Sequence, residues 1–94
     1  MFRQANIHPH AGKSEVLAIT EQLFQKHWQT TTLEVKIALR QRGYLAYQEE
    51  ISYWMDQLAQ EFEWPFTCNG RFRTYYPIVP EDDWYHNLLK YCRN

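Results

Sequence analysis

The chain has 94 residues, 45% of them hydrophobic and 17% aromatic, with a formal net charge of −1. That length supports one domain with a single modest core, and that apolar content excludes a disordered chain. The near-neutral balance counts against a protein whose main work is gripping phosphates, since such domains are usually clearly basic.

Residues 1–13 show no steady periodicity and include Pro9 and Gly12, so a flexible N-terminal arm is expected there. The first helix is expected from Ser14, a good N-cap, with Glu15 set against the positive end of the helix dipole. Its inward stripe reads Val16, Ile19, Thr20, Leu23, Phe24 and Trp28, and the run Thr30-Thr31-Thr32 ends it. A second helix follows with punctuation at both ends. Thr31 and Glu34 stand in capping-box spacing, and Gly43 occupies the position after the helix where a left-handed backbone is needed. Val35, Ala38 and Leu39 are expected inside, and Lys36 and Arg40 outside, with Leu45 as the apolar plug of the short turn that follows.

The third helix has the strongest pattern in the chain. Ile51, Trp54, Met55, Leu58 and Phe62 recur at the spacing of one buried face, while Gln48, Glu49, Ser52, Tyr53, Asp56 and Gln60 lie on the other. The period then changes to two. Two strand-like runs flank Asn69-Gly70, a pair that predicts a type I′ hairpin. Pro77 ends the sheet, and Pro80-Glu81-Asp82-Asp83 reads as the start of a fourth helix with Trp84, Leu88, Tyr91 and Cys92 on its apolar side. Cys68 and Cys92 are the two cysteines, and no signal peptide or membrane-length apolar run precedes them. Both are expected as reduced thiols in a cytoplasmic protein with no membrane contact.

The run Thr31-Thr32-Leu33-Glu34-Val35, Ala38-Leu39, Gly43, then Ile51-Ser52-Tyr53-Trp54-Met55 and Leu58-Ala59 resembles winged helix-turn-helix domains of bacterial regulators, with the Asn69-Gly70 hairpin in the place of the wing. The resemblance covers the chain from the first helix through the hairpin. It implies a mainly α fold with a small β-hairpin: a winged helix-turn-helix over 14–78, plus a C-terminal helix over 79–94 packed on the domain or on a partner. It also implies that the third helix lies in a major groove of double-stranded DNA while the wing touches the backbone. Carried over, the reading face is Gln48, Glu49, Ser52 and Tyr53 and the wing residues are Arg71 and Arg73. With Lys36 and Arg40 added as cations that could hold phosphates, the candidate DNA-binding set is Lys36, Arg40, Gln48, Ser52, Tyr53, Arg71 and Arg73.

The sequence departs from that family in charge. Between Arg42 and Arg71 there is no lysine or arginine, and the interval holds Glu49, Glu50, Asp56, Glu61 and Glu63. Such a face is repelled by phosphates and releases no counterions to compensate. On the resemblance, the leading expectation is still a winged-helix domain in DNA-linked transcriptional regulation. The alternative is a winged-helix module that binds protein instead, through its acidic helix or its aromatic C-terminal region. Trp84, Tyr85 and Leu88 are the candidate interface, either with a partner or with a second copy of the chain.

Metal, cofactor and catalytic chemistry are not expected. His8-Pro9-His10 is a short pair on the arm, and Cys68, His86 and Cys92 lack metal-ligand spacing. No Gly-rich phosphate loop, Gly-x-Ser-x-Gly or Ser/His/Asp arrangement occurs, so an enzyme is not expected.

Overall fold

The computed structural model describes residues 8–70 and 72–78. Within them the order is α1 (Lys13–His27), β1 (Thr30–Thr31), α2 (Thr32–Gln41), α3 (Gln48–Phe62), β2 (Phe66–Asn69) and β3 (Phe72–Tyr75). The three helices pack on one another, and the strands form an antiparallel sheet in the order β1-β3-β2. The arrangement is compatible with a winged-helix layout. The expected fourth helix lies outside the described residues.

Helix α1 is capped two residues earlier than expected. Gly12 is the N-cap, and the Glu15 carboxylate accepts its N–H at 2.9 Å, while glycine has no side chain to return the bond. Val16, Ile19, Thr20 and Phe24 are buried as expected, and Leu23 is partly so. Thr20 tolerates full burial because its hydroxyl donates to the Val16 carbonyl at 2.7 Å. Trp28 does not join this stripe. It ends the helix in a left-handed conformation, φ 63°, and stands largely in solvent.

The ends of α2 follow the sequence closely. The Thr31 hydroxyl accepts the Glu34 N–H and the Glu34 carboxylate accepts the Thr31 N–H, both at 3.1 Å. At the other end Gly43 has φ 91°, its N–H donates to Arg40, and the Tyr44 N–H reaches back to Leu39. These are the two crossed bonds of a Schellman motif. The buried residue of the following turn is Ala46 rather than Leu45, which is half-buried. Leu45 instead uses its backbone. Its N–H donates to Pro9 and its carbonyl accepts from Ala11, so His10 to Gly12 lies along the turn and Ala11 is buried. The part of the expected arm from His8 onward is thus held by backbone bonds, and residues 1–7 lie outside the described residues.

Helix α3 seats Ile51, Met55 and Leu58 at zero exposure, with Ala59 beside them. Burying three such side chains stabilises the fold by about 1.5–3 kcal/mol each. Trp54 is only partly buried, and Phe62, expected inside, is exposed and stacked on Trp64 at 5.8 Å between ring centroids. Trp64 takes the core position instead, edge-on to Phe24 at 5.0 Å. Phe62 is the last residue of α3, and the left-handed turn at Glu63, φ 58°, brings Trp64 back onto the core in its place.

The hairpin forms where expected but turns one residue later. Asn69 pairs with Phe72, so Gly70, φ 65°, holds the first central position of the turn rather than the second. Strand β1 lies in the threonine run that the sequence marks only as a helix break. It adds to the sheet through Thr30↔Tyr75 and Thr31↔Thr74. Cys68 is disulfide-bonded, which corrects the expectation of a reduced thiol at this position. Among the described residues no helix is long and apolar enough to cross a membrane.

Candidate interaction surface around helix α3

Two hollows flank the outward face of α3, and the expected site residues divide between them. On one side a cavity of about 140 Å³ opens between the start of α2, the first half of α3 and strand β3. Gln48 and Ser52 from α3 meet Arg73 from β3 there, together with Leu33, Phe72 and Tyr75. Leu33 and Phe72 are exposed apolar side chains, as is Ile37 one turn along α2 from Leu33. On the other side a cavity of about 470 Å³ lies between the His10–Gly12 segment and α3, lined by Glu49, Glu50, Tyr53 and Trp54. Tyr53 thus belongs to a different flank from Gln48 and Ser52.

The cations of this region differ in how far the domain itself engages them. Arg40, expected as a phosphate contact, donates its Nε–H to the Ala46 carbonyl at 2.8 Å and so holds the turn between α2 and α3. Arg73 makes a 3.2 Å ion pair with Asp56 and lies over the Phe66 ring at 4.4 Å from its centroid. Burial pulls the Arg73 pKa down, but Tyr75 and Asp56 together outweigh it and raise the value above that of an ordinary arginine. Burial raises the pKa of Tyr75, and Arg73 and Thr32 pull it back only in part. Lys36 is half-buried on α2 and forms no ion pair among the described residues. Arg71 lies outside the described residues, as do Trp84, Tyr85 and Leu88.

The acids of α3 are spread along its length. Glu61 pairs with Lys13 at 2.7 Å, tying the end of α3 to the start of α1. Glu50 meets the His10 Nδ1 at 3.3 Å, and the His10 ring is tilted against Tyr47 at 5.8 Å. Glu49 is exposed and has no ion-pair partner among the described residues. The N-terminal half of α3 therefore presents uncompensated negative charge beside exposed aromatic surface. Among the described residues no group of three His, Cys, Asp or Glu side chains converges as a metal site would require.

Sequence reasoning found the exposed face of α3 but not the larger cavity. That cavity needs the backbone pairing of Leu45 with residues 9–11, for which the sequence carries no local signal. The internal use of Arg40 was equally hidden, because its acceptor is a backbone carbonyl six residues away. No protein-family model, curated protein or solved structure matches the chain.

Proposed function

We propose that the chain is a winged-helix module that works by binding protein, with the outward face of α3 turned toward a basic partner. The winged-helix reading is supported by the element order from α1 to β3 and by the sheet order β1-β3-β2. It is supported too by the tight link between α2 and α3. One observation carries the protein-binding reading: the face that would enter a groove has acids and no cation of its own, and Arg73 beside it is ion-paired with Asp56. Pressing that face against phosphates costs repulsion, whereas a basic protein surface gains from it. The exposed Leu33, Ile37, Tyr53 and Phe72 add the apolar and aromatic contact area that protein interfaces use.

A second reading, DNA-linked regulation through the helix pair, is favoured by the convergence of Gln48, Ser52 and Arg73 on one cavity at the start of α2. The two readings separate in a salt titration against a random-sequence duplex and against an alternating Lys-Arg decapeptide. The protein-binding reading expects the peptide to be held at low salt and the duplex to be ignored. Tighter binding of the duplex than of the peptide, with a steep salt dependence, overturns it in favour of DNA.

A further inference from the structure

The larger of the two hollows has the make-up of an anchor pocket for a cationic side chain. Tyr53 and Trp54 supply its aromatic surface, the rings meeting edge-to-face at 5.0 Å. Glu49 and Glu50 stand at its rim, and His10 and Gly12 close the opposite side. It is an open hollow of about 470 Å³, shallow enough for a side chain to lie across it. Nothing in the packing of the domain requires Tyr53 to be there, since it is more than half exposed.

We infer that this cavity receives an arginine side chain from a basic protein segment, an assignment that rests on the protein-binding reading above and specifies its anchor. Charge complementarity selects the occupant. The start of α3 contributes roughly half a positive charge through its dipole, which opposes a cation, but two carboxylates carry roughly four times that charge with the opposite sign. The Glu50 carboxylate is shared with His10, whereas Glu49 is uncommitted among the described residues. Arginine fits better than lysine because its flat guanidinium stacks on an aromatic face while its edge donates two parallel bonds to a carboxylate. An anionic ligand meets repulsion at the rim, and a purely apolar one leaves Glu49 without a partner.

The test is an NMR titration at low salt with a ten-residue glycine-serine peptide carrying two arginines, set against the same peptide with citrulline in their place. The arginine peptide is expected to shift the signals of Glu49, Tyr53 and Trp54, and the citrulline peptide to leave them unmoved. Tyr53→Ala and Glu49→Gln should each weaken binding about threefold to tenfold. Glu63→Gln removes the same charge away from the cavity and should leave binding unchanged. A loss with Glu63→Gln equal to that with Glu49→Gln means diffuse attraction and overturns the pocket. Silence toward this peptide while the Lys-Arg decapeptide is still held overturns the pocket and spares the wider reading. Silence toward both peptides overturns both, and equal binding of the citrulline form overturns the pocket alone.

Discussion

Helices α2 and α3 are neighbours in sequence and in space, yet they are stabilised by different means. Local chemistry defines α2: a reciprocal capping box at Thr31 and Glu34, and a glycine where the chain must turn left-handed. Helix α3 has neither. It begins at Tyr47 with no side-chain cap and ends through Glu63, a residue with a full side chain at φ 58°. What it has instead is Ile51, Met55 and Leu58 sealed completely from water. Both helices need the core, and α2 too buries Val35 and Leu39 completely, but a helix with poor ends leans on tertiary packing more heavily than one whose ends are satisfied locally. That division also suits the proposed role. The helix held by its buried face is free to use the other face for a partner, with no capping residues to protect there.

The largest effect should come from the packing of α3. Truncating Leu58 to alanine removes a side chain with no exposure and is expected to cost about 2–5 kcal/mol in denaturant unfolding. A cost of less than about half a kilocalorie would show that the buried face of α3 is not what holds it, and the contrast with α2 would collapse.

The same contrast explains what could be read from the amino acids. Both ends of α2 and the inward positions Val35 and Leu39 were legible because each depends on residues a few places apart. So was the inward face of α3 as far as Leu58. The failures fall where distant parts of the chain meet. Strand β1 is two residues long and exists only because β3 lies alongside it, so no run of threonines could announce it. Trp64 replaces Phe62 in the core because of where α3 stops, and that stop has no glycine to mark it. Pairing along the hairpin places its turn one residue beyond the expected centre, which the Asn-Gly pair alone did not reveal. Of the candidate site, the acidic face was visible and the cavity beside it was not. The acids belong to one helix, and the cavity belongs to a backbone contact between residues 9–11 and Leu45.

A smaller effect is expected at the end of α2. Gly43 sits at φ 91°, and a Cβ placed there would meet only the His8 Nδ1, at 4.0 Å. Space is therefore not the obstacle, and the cost of Gly43→Ala is the backbone strain of a left-handed alanine, about 1–2 kcal/mol. Denaturant unfolding of this variant measures that strain free of any clash. A neutral result would mean that the turn relaxes, and that glycine is not what defines the end of α2.

The smallest and most informative change is the reverse one at the end of α3. Glu63 adopts φ 58°, its N–H donates to the Ala59 carbonyl, and the Trp64 N–H reaches the same carbonyl at 2.9 Å. The chain thus makes the kind of left-handed close that Gly43 makes in α2, but with a residue that carries a Cβ and a negative charge. Both are unfavourable at that place. A left-handed backbone costs a residue with a side chain roughly 1–2 kcal/mol, and a carboxylate faces the negative end of the helix dipole. Glycine removes both penalties but adds backbone freedom to the unfolded chain, which offsets part of the gain. The balance predicts that Glu63→Gly stabilises the protein by about 0.5–1 kcal/mol, seen as a higher denaturant midpoint at an unchanged slope. Glu63→Gln separates the two contributions, because it removes the charge and keeps the strained backbone; its gain should be the smaller of the two. If glycine destabilises instead, Glu63 makes a favourable contribution that outweighs its strain, and α3 is defined at its end by local chemistry after all.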